Sequence, residues 1–115
     1  MNNNLLKVAL AQISPVWLNK EKTIKKIEKS ILDAAKENCE LIVFGEALLP
    51  GYPFWLALTD GAKWNTKTNK EIHAHYVRNA ITIEKGELNS ICKLAKEYNI
   101  AIYLWEELFS DFINF

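Results

Sequence analysis

The chain has 115 residues, 50% hydrophobic and 24% charged, with 14 Lys and Arg against 14 Asp and Glu. This length suits one domain or part of one, and this balance suits a folded core rather than a disordered chain. A formal net charge of zero provides no field to gather nucleic acid or an anionic membrane surface, so neither partner is expected.

Residues 47–59 are nearly free of charge, but Pro50 and Pro53 interrupt them and they fall short of the ~20 apolar residues of a membrane helix. Met1-Asn2-Asn3-Asn4 is polar, and the apolar stretch after it carries Lys7 and Gln12. No signal-peptide core is read there, and a cytoplasmic location is expected. Cys39 and Cys92 lie far apart, with no His or second Cys at metal-ligand spacing. Reduced thiols and no bound metal are the expectation.

In chain order, Leu5 to Ile13 is apolar and ends at Ser14-Pro15, where proline removes a ladder donor, so it predicts a strand. Asn19 can cap a helix over Lys20 to Glu37, with Ile24, Ile27, Ile31, Ala34 and Ala35 on one stripe and Lys22, Lys25, Lys26 and Lys29 largely off it. Asn38 suits a left-handed stop, and Leu41 to Phe44 predicts a strand buried on both faces. Ile72, Tyr76, Ala80 and Ile83 mark a second helix. Gly86 divides it from a third in which Leu88, Ile91, Cys92, Ala95 and Tyr98 share a face, and Ile100 to Leu104 predicts a last strand. The alternation is that of an α/β domain with a largely buried sheet.

Past the carboxyl end of the second strand stands Glu46, in Leu41-Ile42-Val43-Phe44-Gly45-Glu46. In open α/β sheets such positions collect binding and catalytic groups. A carboxylate partly withdrawn from water there becomes a proton acceptor near neutral pH, with Gly45 allowing a tight turn before it. Spacing alone leaves open a solvated residue or a helix cap. Likewise Pro50-Gly51-Tyr52-Pro53 reads as a rigid turn, and Phe54 and Trp55 as core or as pocket wall.

Phe44-Gly45-Glu46 followed by Pro50-Gly51-Tyr52-Pro53 resembles the glutamate loop of the nitrilase branch of the carbon-nitrogen hydrolase superfamily. Lys7-Val8-Ala9-Leu10-Ala11-Gln12-Ile13-Ser14-Pro15 is similar to that family's first strand, and the helix through Ala34-Ala35 to its first helix. Thr59-Asp60-Gly61-Ala62, Lys70-Glu71-Ile72-His73-Ala74-His75-Tyr76 and Ile100-Ala101-Ile102-Tyr103-Leu104 also fit. The resemblance implies an incomplete α-β-β-α sandwich, with residues 1–115 as the N-terminal portion of one such domain. It further implies hydrolysis of a nitrile or amide to acid plus ammonia by a Glu, Lys and Cys triad, with no cofactor. Glu46 would be the general base, and Tyr52, Phe54 and Trp55 would line the substrate pocket.

The family's lysine and cysteine lie in motifs beyond this chain's third strand. Cys39, at a helix-to-strand junction, and Cys92, on an apolar helix face, read as buried packing residues. Lys63 and Lys67 read as solvated, and His73 and His75, about 200° apart on a helix, do not suit a shared metal. After about residue 104 the pattern gives way to Trp105-Glu106-Glu107-Leu108, as a reading-frame shift or early stop would produce. A truncated hydrolase inactive by itself is therefore expected, self-associating through an exposed sheet edge. The alternative is a noncatalytic module that joins a homologous subunit. A nucleotide-binding domain is disfavoured, because no glycine-rich phosphate loop follows the first strand.

Overall fold

The computed structural model describes residues 4–46, 48–53, 55, 58–60, 63 and 65–105. Among them, β1 (Val8–Ala11), α1 (Lys20–Lys36), β2 (Leu41–Phe44), α2 (Lys67–Arg78), α3 (Asn89–Glu97) and β3 (Ala101–Tyr103) follow in order, with a 3-10 turn at Ile83–Lys85. The strands form one parallel sheet in the order β1-β2-β3, which makes β2 central. The residues after position 105, where the sequence departs from the expected pattern, lie outside the described part.

Local chemistry sets where the elements start and stop. The Asn19 side chain accepts from the Lys22 N–H at 3.1 Å and opens α1. At its far end Asn38 adopts φ +61, the Asn38 N–H donates to the Ala35 carbonyl and the Cys39 N–H to the Ala34 carbonyl, each at 3.0 Å. That is a Schellman stop, and it delivers the chain into β2. Asn99 repeats part of it after α3, with φ +49 and the Ile100 N–H donating to the Ala95 carbonyl at 3.1 Å ahead of β3.

Register sorts the sheet into two unlike faces. Ala9, Ile42 and Ile102 align on one face, and Val8, Leu41 and Ala101 on the other, as do Leu10, Val43 and Tyr103. The first face packs under the helices, where Ile27, Ile31 and Ala34 of α1 meet Ile91 of α3 in one cluster with Ile42, Phe44, Leu48, Leu49, Ile81 and Ile100. The opposite face is open: Leu10 is 77% and Tyr103 57% exposed. The strand expected to be buried on both faces is therefore buried on one, because nothing among the described residues covers Leu41 and Val43, which are half-buried.

Two further expectations are corrected. The first strand is shorter than Leu5 to Ile13, since Leu5 and Leu6 are exposed and pairing in the sheet begins at Val8. The second helix ends at Arg78 with Asn79 as its cap, so Ala80, in a bend, and Ile81, just past it, are buried beyond the helix instead of continuing a helical stripe.

One ion pair ties that segment to α1. Lys20 bonds Glu87, whose second carboxylate oxygen accepts the Thr82 N–H at 2.7 Å, while Lys20 also reaches the Ala80 carbonyl at 3.5 Å. Burial pushes the Glu87 carboxyl up, but the Lys20 hydrogen bond, the Thr82 N–H and the charges of Lys20 and Lys85 together hold it below its ordinary range. A carboxyl lowered in this way adds stability above its unfolded pKa and loses it as pH falls through the folded one. Acid unfolding curves are expected to show this loss below the ordinary carboxylate range, and Glu87→Gln to flatten that limb.

Burial likewise separates two apolar truncations. Ile31 is fully buried, so Ile31→Ala is expected to cost about 2–5 kcal/mol in urea unfolding. Leu10→Ala, on the open face, is expected to change stability by less than about 0.5 kcal/mol.

Candidate active site

Phe44, buried at the end of β2, anchors the point where the chain leaves the sheet. Gly45 and Glu46 follow at the carboxyl end of this central strand, both exposed. Gly45 is not the tight point the sequence suggested: its φ is not positive, and a Cβ there would meet nothing within 4 Å. The Glu46 carboxylate has no hydrogen bond or ion pair among the described residues. The expected withdrawal from water is thus not present, because the sheet beside the loop is covered on its helix side only.

The loop itself is firmly held. Leu48, Leu49 and Pro50 turn straight back into the core, where Leu49 joins Ile81. Gly51 carries the conformational demand, with φ +118, and a Cβ there would lie 3.0 Å from the Trp17 ring and 3.1 Å from the Pro15 ring. Only glycine takes that backbone without strain, and only glycine admits so close an approach.

The candidate pocket residues differ in burial. Tyr52 is 67% exposed on the Glu46 loop. Trp55 is 9% exposed and sits edge-on to two rings, Trp17 at 5.7 Å and Tyr76 of α2 at 5.1 Å between centroids. Phe54 lies outside the described residues, as do Gly61 and Ala62. Sequence reading missed Pro15, Trp17 and Tyr76 as partners of this loop. The signal available was a proline and a tryptophan crowded into the short connection between β1 and α1.

Neither thiol belongs to the loop. Cys39 is half-buried at the α1–β2 junction, as expected of a packing residue, whereas Cys92 is exposed, contrary to expectation. The apolar face of α3 that carries it looks into an open groove of about 300 Å³ lined by Leu88, Ile91, Ala95, Ile102 and Leu104. Lys63 pairs with Asp60 at 3.5 Å and Lys67 with Glu71 at 3.8 Å, all on the surface. His73 and His75 are exposed on α2. Among the described residues no group of three His, Cys, Asp or Glu is placed to hold a metal ion, and no helix is long and apolar enough to cross a membrane.

The sequence profile of the family described as Carbon-nitrogen hydrolase matches residues 7–105. The chain is similar to an arylacetonitrilase of Aspergillus oryzae, 34% identical over 99 residues, which cover 86% of this chain and 28% of that protein. It is similar to a nitrilase of Meyerozyma guilliermondii at 33%, covering 86% of this chain and 29% of that protein. An aliphatic nitrilase of Rhodococcus rhodochrous matches at 31%, covering 86% and 26%. The chain thus spans less than a third of the length of these curated relatives.

Exposure orders the two thiols by accessibility. Cys92 is expected to react with a thiol reagent such as iodoacetamide well before Cys39 in the native chain, as peptide mass spectrometry of briefly labelled protein would read.

Proposed function

The chain belongs to the carbon-nitrogen hydrolase family, and from that premise we propose that it supplies the glutamate-bearing N-terminal part of a nitrilase-type hydrolase, with Glu46 as general base. The observation that carries this reading is the placement of Glu46 at the carboxyl end of the central strand, on a loop held by the core on one side and an aromatic cluster on the other. In this reading the groups that would withdraw Glu46 from water belong to the more than two thirds of the relatives' length that this chain does not span.

The chemistry follows from what each group can do. The glutamate takes the proton of a cysteine thiol, and the thiolate adds to the nitrile carbon to give a thioimidate. A lysine ammonium stabilises the negative charge that develops. Water adds, ammonia leaves, and a second water hydrolyses the thioester to the acid and frees the thiol. On this reading the chain contributes only the first of these groups, since neither Cys39 nor Cys92 lies on the Glu46 loop and Lys63 and Lys67, which follow it in sequence, pair with Asp60 and Glu71 on the surface. Members of a covalent catalytic set act together, so one survivor recovers little turnover. The substrate class is a nitrile or an amide. Arylacetonitrilases and an aliphatic nitrilase match this part of the chain about equally, and it therefore does not separate their substrates.

A second reading is a noncatalytic module that joins a homologous subunit, favoured by the open apolar face around Leu10 and Tyr103. One experiment separates the two. The chain is co-expressed with a polypeptide carrying the lysine- and cysteine-bearing remainder of a nitrilase, and ammonia release from nitriles and amides is measured. The hydrolase reading expects no turnover from the chain alone, turnover from the pair, and loss of at least about a thousandfold on Glu46→Gln. Association without Glu46-dependent turnover would leave the assembly module standing instead.

A further inference from the structure

The Glu46 loop is seated from outside by a segment to which the proposed chemistry gives no role, residues 15–17. Thr23, fully buried in α1, accepts the Val16 N–H at 2.9 Å. Its hydroxyl lies 3.2 Å from the carbonyl oxygens of both Val16 and Asn19. A hydroxyl has one hydrogen, so it donates to one of the two at a time. The Val16 carbonyl is satisfied in either case, because the Asn19 N–H donates to it at 3.1 Å. The backbone is therefore tied to α1 on both sides of Trp17.

Trp17 in turn meets the loop at two points. Two of its ring carbons would stand 3.0 and 3.1 Å from a Cβ at residue 51, so the indole lies against bare glycine backbone. The same ring meets Trp55 edge-on, and Trp55 meets Tyr76. Leu48, Leu49 and Pro50 are buried between Glu46 and this seat. The indole thus bears on a buried run that leads back toward Glu46.

We propose that Trp17, fixed by Thr23, is a positioning residue that sets where the Glu46 carboxylate stands by seating Gly51 and Trp55. Its catalytic consequence rests on Glu46 being the general base; the seat itself does not. Misplacing a catalytic group by about 1 Å costs on the order of a hundredfold in rate. Because Trp17 acts through the loop, its loss should lower kcat and leave KM nearly unchanged.

Hydrogen exchange on the whole 115-residue chain tests the seat without any activity. Trp17→Ala is expected to speed exchange of the amides of residues 45–52 by up to about tenfold, the range a lost aromatic pair implies, with β2 unchanged. Trp17→Phe should keep the protection. Thr23→Val should reproduce the loosening and Thr23→Ser should not, and this pair decides the matter if Trp17→Ala does not fold. Unchanged exchange in residues 45–52, equal loosening of β2, or Phe as loose as Ala would overturn the seat. In the complemented pair described above, Trp17→Ala is expected to cut kcat by tenfold or more with KM held and with Phe restoring it. An unchanged kcat where Glu46→Gln is inactive would overturn the positioning role. If Glu46→Gln is harmless, or no turnover arises, the general-base reading fails and the exchange result still decides the seat.

Discussion

The stripe Ile27, Ile31 and Ala34 pressed onto Ile42 and Phe44 is the contact on which the rest of the molecule depends. It holds α1 to the central strand, and through α1 it sets both ends of the site. At the far end of the helix the Asn38 stop turns the chain into β2, which carries Glu46. At the near end Thr23 ties down the backbone before Trp17, which meets the loop beyond Glu46. One buried helix face thus fixes the loop from the strand it leaves and from the ring it rests on. Fully burying a large aliphatic side chain contributes about 1.5–3 kcal/mol. Each surface ion pair, such as Lys29 with Asp33, contributes about 0–1 kcal/mol. Packing therefore outweighs charge in holding this arrangement.

Much of this was legible because the signals are local. The 3.6-residue recurrence of Ile24, Ile27, Ile31 and Ala34 marks a helix wherever it packs, and Asn19 and Asn38 supply a cap and a left-handed stop within a residue or two of their effect. The expectation for β2, Leu41 to Phe44, matched its span for the same reason. What failed needed knowledge of neighbours. An apolar tetrapeptide does not say how many of its faces are covered, and here one is open. Helical spacing from Ile72 to Ile83 ran past Asn79, because Ala80 and Ile81 are apolar for packing in the turn beyond the helix, which has no period of its own.

The site divides in the same way. The position of Glu46 just past the end of β2 was legible from the strand pattern, whereas its exposure was not. Which glycine bears strain was not, since the positive φ of Gly51 and the Pro15 and Trp17 rings against it appear only in the fold. Cys92 illustrates the converse. Its place on the apolar face of α3 was read correctly, yet that face borders an open groove and the thiol is exposed.

The exposure of Glu46 and the open sheet face lie side by side at the carboxyl end of β2. A parallel sheet is ordinarily covered on both faces, since its side chains are apolar on both. Here Leu10, Val43 and Tyr103 carry that composition on the open side just as Ala9, Ile42 and Ile102 do on the covered one. The side chains of the open face are apolar like those of the covered one, although Leu10 and Tyr103 are exposed and Val43 is only half-buried. Beyond the exposed Glu46, Leu49 packs into the core and Gly51 and Trp55 meet the Trp17 ring. Rigid support beneath an exposed acid suits a group whose partners approach from the open side. The proposed general-base role draws on that support, since Glu46 itself has no partner among the described residues.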